Sequence, residues 1–325
     1  MITRRTLLIA LGAAAVAVPF SASAQPQGKL WRIGYLAGGA GGSFAYFDFV
    51  SAMRELGYAE GKHYVIEWRS SEGRYERYPA LAAELVRLNV DVIVVVARAA
   101  NAAAKRATQT IPIVIISTPD PVAEGLASTL SRPGGNITGL ASVTGEASPQ
   151  YIEFLRVLMP RLSRVALLLN PDNPSSDISR DLEHSARPFG VRITTLNAKS
   201  EVQLKPALAS LRREKMDGLV VTTDSFFFSH RELIAQLALS QGVPSIAGRQ
   251  EYAEAGFLMG YGESLAAARR RAAYYVDRIF KGAKPADLPF EKPMRLSLVI
   301  NRKTATALGV KLPQELLLRA DEVIG

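Results

Sequence analysis

From Trp31 onward the apolar positions of this chain follow two alternating rhythms. "RIGYLAG", "VDVIVVVA", "PIVIIST", "RVALLLN", "GLVVTT", "PSIAG" and "LSLVIN" are short apolar runs bounded by polar or turn residues. Those without alternation read as strands buried on both faces. "HYVIEWRSS" and "VRITTLNA" read as further strands. Between them lie stretches with helical spacing. "FAYFDFVSAMRELG" places Phe47, Val50, Met53 and Leu56 on one face. "RYERYPALAAELVRLN", "SPQYIEFLRVLMP", "PSSDISRDLEHSARPFG", "EVQLKPALASLRREK", "HRELIAQLALSQG", residues 264 to 281 and "RKTATALG" repeat the pattern, and Asp120-Pro121 opens another predicted helix. Strands alternating with helices predict an α/β architecture with parallel sheets covered on both faces.

The turn-rich "SRPGGNITGLAS" (131 to 142) breaks the rhythm, which then restarts. This predicts two Rossmann-like lobes of similar build, one from 29–139 with 262–286, the other from 140–261 with 287–325. Three crossings, near 138–143, 257–262 and 285–293, would form a hinge, since short extended segments let a few backbone angles absorb a motion. Ligands of such sheets bind beyond the carboxyl ends of the strands. The candidate loops are therefore 38–44, 97–101 and 117–120 in one lobe and 170–175, 224–227 and 248–251 in the other.

At 325 residues the chain exceeds one ordinary core, and 48% hydrophobic with 21% charged residues is globular composition. The N-terminus has Arg4 and Arg5, an apolar stretch from Leu7 to Phe20, and Ala22-Ser23-Ala24. That order predicts a signal peptide over 1–24, cleaved after Ala24, and hence a periplasmic protein with no membrane insertion after processing. "TRRTLL" also fits a twin-arginine signal, with an ordinary secretory signal as the alternative. Cleavage would lower the formal charge from +9 to +7. The remaining basic residues are scattered apart from Arg269-Arg270-Arg271, read as a solvated helix face, which gives no basis for nucleic-acid binding.

Several chemistries lack their residues. With no cysteine there is no disulfide framework, thiolate metal site or cysteine nucleophile. "GGAGGS" places Phe44 where a dinucleotide fingerprint needs its third glycine, and no phosphate-binding GxxxxGK[ST] occurs. His63, His184 and His230 lack metal-ligand spacing, and no GxSxG elbow is present. No catalytic residue, metal or cofactor is assigned.

"RIGYLAGG", "ELGYAEGKHYVIEWR", "DPVAEGLASTLSRPGGNITGL", "NPDNPSS", "GVPSIAGRQEYAEAGFLMGYG" and "LVINRKTATALGVKLPQELLLRADEVI" resemble extracytoplasmic substrate-binding proteins of ABC transporters, in the family related to tryptophan and tyrosine importers. The resemblance runs over nearly all of 31–324. It implies a type I periplasmic-binding-protein fold, a small-molecule ligand in the inter-lobe cleft, an ABC permease as partner, a monomer, and no enzymatic activity. An exported enzyme using the same cleft, or a receptor feeding a sensor, is the alternative. The chain departs from the family's small Gly-Thr-Pro-type loop at Ala97-Arg98-Ala99-Ala100-Asn101, which places an arginine in the presumed cleft.

An amino-acid ligand would present a carboxylate, an ammonium and a side chain. Arg98 could clamp the carboxylate, and Ser43, Ser117 and Thr118 could donate hydroxyls, with helix capping as their equal alternative. Asp120 and Asp224 end strands in opposite lobes and could accept an ammonium or cap their own helices. Asn101, Asn173 and Arg249 are further polar residues in the candidate loops. Of the run Phe226-Phe227-Phe228 one ring should face the cleft, with Phe226 the candidate, opposite Phe44 and Tyr46. The expected ligand is a small carboxylate with a flat apolar body, an aromatic amino acid first and an aromatic acid second.

Overall fold

The computed structural model describes residues 29–39, 44–143, 148–173, 178–292 and 296–325. Residues 31–325 build two sheets. The first takes β1 (Trp31–Ala37), β2 (Tyr64–Ser70), β3 (Val92–Val95), β4 (Ile113–Thr118) and β5 (Ile137–Ala141), all parallel, in the order β2-β1-β3-β4-β5. The second takes β6 (Arg164–Leu169), β7 (Arg192–Asn197), β8 (Gly218–Val221), β9 (Ser245–Ala247), β10 (Met259–Gly262), β11 (Ser297–Asn301) and β12 (Glu322–Ile324). Its order is β12-β11-β10-β9-β8-β6-β7, parallel except where β10 meets β11. The stretch β7-β6-β8-β9-β10 thus repeats the 2-1-3-4-5 order of the first sheet. Each half has its own switch point, where crossover connections leave in opposite directions and a crevice opens.

The apolar runs dictate this. β3 is buried along its whole length, because helices cover both faces of its sheet. Edge strand β7 carries no buried residue, in keeping with "RITTLN". A repeated carboxylate device fixes register. Asp91, just before β3, accepts the Arg32 N–H at 2.8 Å with its side chain, while its own N–H donates to Arg32 O. Asp217, just before β8, does the same with Arg164, and its Oδ2 also takes the Ser163 N–H and hydroxyl. Asp321, before β12, repeats it with Leu298. Register matters because a one-residue slip would turn each apolar face outward.

The helices covering the first sheet are α1 (Phe44–Glu55), α2 (Tyr78–Arg87), α3 (Arg98–Ala107) and, from late in the chain, α10 (Leu265–Phe280). Those of the second are α4 (Ser148–Leu158), α5 (Ser179–Ala186), α6 (Glu201–Arg213), α7 (Ser225–Ser229), α8 (Arg231–Ser240), α9 (Gln250–Glu254), α11 (Arg302–Ala307) and α12 (Gln314–Arg319). Pro79 sits in the first turn of α2, where its missing N–H has no intrahelical partner to lose. The predicted helix at Asp120-Pro121 is instead a set of turns, and α9, α12 and β12 have no counterpart in the periodicity reading. All three are short, and none carries a full turn-by-turn apolar stripe.

The chain passes between the two sheets three times: after β5, after β10, and between α10 and β11. The last passage runs beside β5. Thr138 Oγ1 donates to Leu288 O, Glu291 N to Gly139 O, and Ala141 N to Glu291 O. Arg271 of α10 holds Glu291 with two hydrogen bonds, 2.7 and 2.6 Å, and lies 3.8 Å over the Tyr274 ring. Those bonds hold the Glu291 carboxyl below its usual range, against the opposing effect of burial. A lowered carboxyl contributes stability that is full above the ordinary glutamate value and is lost as pH falls through the lowered one. Acid titration of folding is therefore expected to lose part of its slope below about pH 4.5 in Glu291→Gln. Urea midpoints of both proteins between pH 7 and 3 check this, and parallel curves would refute it.

Candidate functional site

A cavity of about 200 Å³ lies between the two sheets, at the carboxyl ends of their strands. β1 contributes Gly38 and Gly39, β3 Val96 to Ala99, β4 Ser117, and β5 Ser142. From the second sheet come Asn173 after β6, Thr222 to Ser225 after β8, and Arg249 after β9. Both switch points therefore open into one space. Its apolar walls are Trp68, Tyr75, Tyr151, Phe228 and Tyr252. Trp68 is held flat by stacking on Tyr35, ring centroids 4.5 Å apart and 9° between planes. The volume exceeds the roughly 150 Å³ of an engineered cavity that accepts benzene.

The two layers touch along one rim. A Cβ on Gly38 would lie 2.4 Å from Ser225 Cβ, and one on Gly73 3.3 Å from Phe226 Cβ. Tyr75 Oη donates across this rim to Asp224 Oδ2 at 2.5 Å. Burial first, and the Asp224 charge next, raise the Tyr75 hydroxyl far above its ordinary value, so it stays a donor.

Asp224 is the hub of the second layer's wall. It is 4% exposed. Oδ1 accepts the Phe227 N–H and so caps α7, the ordinary duty of an aspartate at a helix start. Oδ2 accepts from Tyr75, from Asn170 Nδ2 at 3.2 Å and from Asn173 Nδ2 at 2.8 Å. All four donors are neutral. Because α7 begins at Ser225, the three phenylalanines wind around a helical turn rather than continuing a strand. Phe228 reaches the cavity, while Phe226 and Phe227 pack into the core beneath it. Helical geometry, not strand alternation, decides which ring faces in.

Of the remaining expected residues, Arg98 lines the cavity with its side chain 40% exposed and Nε 2.9 Å from Glu124 Oε1. Ser117 also lines it. Thr118 is buried behind the wall and donates its hydroxyl to Glu124 at 2.8 Å. Asn101 is buried one turn behind Arg98, donating to Ser117 O at 3.2 Å. Asp120 is exposed and accepts the N–H groups of Val122 and Ala123, capping its own turn away from the cavity. Ser43 lies outside the described residues, as do the side chains of Phe44 and Tyr46.

Two arginines dominate the electrostatics. Arg249 is 8% exposed, lines the cavity, and has neither an ion pair nor a side-chain hydrogen bond among the described residues; its Nη1 is sealed from solvent without a partner. Its backbone is wedged against β10. A Cβ on Gly260 would lie 2.3 Å from Arg249 O, and one on Gly262 1.9 Å from Gly248 O. Only glycine leaves room for the turn that aims Arg249 inward. Arg269 lines the cavity from α10 at 4% exposure, with Nη1 3.1 Å from Asp48 and Nε sealed without a partner. This corrects the reading of Arg269-Arg270-Arg271 as one solvated face. Arg270 and Arg271 reach outward to Glu55 and Glu291. Arg269 instead shares the buried stripe Leu265, Ala272, Val276 and Ile279, a spacing visible in the sequence.

Two lobes with matching strand orders, a cavity shared between them and three connecting segments define a type I periplasmic-binding-protein fold. Residues 44–324 match the family model for ABC transporter substrate binding proteins, and the chain belongs to that family. It is 24% identical over 264 residues to a tyrosine-binding protein of Clostridioides difficile, covering 81% of this chain and 76% of that one. Among solved structures, a conserved domain protein from Vibrio cholerae has a TM-score of 0.81 at 25% identity, covering 91% of this chain and all of that one. An ABC domain from Streptococcus pneumonia in complex with L-Trp has a TM-score of 0.79 at 24% identity, with the same coverage. A ligand-free, open substrate binding protein from Clostridium difficile has a TM-score of 0.62 at 23% identity, covering 91% of this chain and 99% of that one.

Proposed function

We propose that this protein is the extracytoplasmic receptor of an ABC importer and that it closes on an aromatic amino acid. One observation carries the reading: Arg249, a buried guanidinium with no counter-ion among the described residues, and Asp224, a buried carboxylate held among them by neutral donors, line one aromatic-walled cavity. A buried charge without a partner is costly, and a zwitterion supplies the missing partner for each. Arg249 offers its planar fork to the ligand carboxylate. Asp224 Oδ1 carries a single hydrogen bond and keeps acceptor capacity for an ammonium. Both side chains line the same cavity, from the turns after β8 and β9. Trp68, Phe228 and Tyr252 leave an apolar slot for a ring.

The tyrosine and tryptophan named for two relatives agree with this ligand class. In this reading the first 24 residues direct export, the lobes move about the three connecting segments, and the closed form is what the permease recognises. The receptor performs no chemistry and returns its ligand unchanged. A ligand that binds only the folded protein at about 100 times its Kd stabilises it by about 2.7 kcal/mol. Thermal melts of residues 25–325 with tyrosine, tryptophan and phenylalanine should therefore shift upward. A melting temperature unmoved by all three, and by 4-hydroxybenzoate, would overturn the ligand class.

A further inference from the structure

We infer that the ligand carries a second oxygen acceptor, on its apolar body, which Arg269 reads. The inference rests on the reading above, in which Arg249 and Asp224, both from the second lobe, hold the carboxylate and the ammonium. That leaves Arg269, which enters the same cavity from α10 on the other lobe. A guanidinium has five N–H donors. Arg269 spends one on Asp48 and faces the buried Tyr35 hydroxyl, an acceptor for one more, while its Nε is sealed from solvent without a partner. At 4% exposure it has no bulk water to satisfy the rest. A benzyl or indole edge offers no acceptor to it. A phenol oxygen or a second carboxylate does.

A site built around a buried donor discriminates against the ligand that lacks the matching oxygen, because that ligand leaves the donor unpaired. Arg269 is in this sense a specificity residue, independent of the head-group anchors. The alternative is that it merely ties α10 to α1 through Asp48.

The test is calorimetry on the mature protein with two matched pairs, tyrosine against phenylalanine and 4-hydroxybenzoate against benzoate. In whichever pair binds, the oxygenated member should be tighter by about 10- to 100-fold. In Arg269→Lys, which keeps a charge for Asp48 but loses the fork, that ratio should collapse toward one. Phenylalanine binding within about threefold of tyrosine in the wild-type protein would overturn the inference while leaving the aromatic amino-acid reading intact. So would an unchanged ratio in Arg269→Lys. Failure of all four compounds to bind would sink both together. The wild-type ratio decides the matter even if the variant does not fold.

Discussion

Arg249→Ala is expected to weaken binding of an aromatic amino acid by about 2–5 kcal/mol, or about 30- to 5,000-fold. The guanidinium is buried, lines the cavity and has no ion pair or side-chain hydrogen bond among the described residues, so its donors are available to a carboxylate. Arg98→Ala should cost about 1 kcal/mol or less, since Arg98 is 40% exposed and already faces Glu124. The order of the two losses separates a cleft anchored on the β9 turn from one anchored on the start of α3. A second readout distinguishes a binding residue from a structural one. An unpaired buried charge destabilises the empty protein, so Arg249→Ala without ligand should melt no lower than wild type. A larger affinity loss in Arg98→Ala, measured by calorimetry, would reverse the assignment. A marked drop in the melting temperature of empty Arg249→Ala would make Arg249 part of the scaffold.

The second large effect is predicted at a residue with no side chain. Gly262→Ala would push a methyl to within 1.9 Å of the Gly248 carbonyl oxygen, a backbone atom that cannot rotate away. The strand and the β9 turn must separate, at a cost of about 3 kcal/mol. Because that turn carries Arg249, ligand affinity should fall in the same variant. Gly135→Ala is the control: nothing lies within 4 Å of its added Cβ, and its urea midpoint should stay near wild type. Equal midpoints for Gly262→Ala and Gly135→Ala would show that the β9 turn yields easily.

The alternation of apolar runs and helical stripes makes the α/β class and the parallel strands of both sheets readable, because strands buried on two faces leave long unbroken apolar stretches. The rule that ligands gather at strand carboxyl ends pointed to loops containing Arg98, Ser117, Asn173, Asp224 and Arg249, which the structure brings to one cavity. It could not rank them. Arg98 looked like the anchor because nothing in its neighbourhood reveals Glu124, which lies 26 positions away and arrives by a turn. The apolar run before Asp224 reads as a strand exit and favours Phe226, whereas Asp224 starts a helix that turns Phe228 to the cavity. Trp68, Tyr75 and Tyr151 give no signal in the sequence, because each sits in a segment whose apolar pattern reads as ordinary core or surface. Only the meeting of two layers makes them a wall. Arg269 is different, since its place on the α10 stripe was in the sequence and the run of three arginines concealed it.

The late position of α10 also bears on biosynthesis. Its residues Ala272, Ala273, Tyr275 and Val276 seal the face of the first sheet formed by Ile33, Tyr35, Val92, Val94, Val114 and Ile116. All five strands of that sheet have been made by Ala141, yet the covering helix begins only at Leu265. While the ribosome works through the intervening segment, that face of the nascent sheet has only Phe49, Ala52 and Met53 of α1 to cover it. Such a chain cannot complete either core until its last quarter has emerged, and it stays exposed to chaperones for most of its synthesis. A protein wound in this order reaches its native state after translation rather than during it.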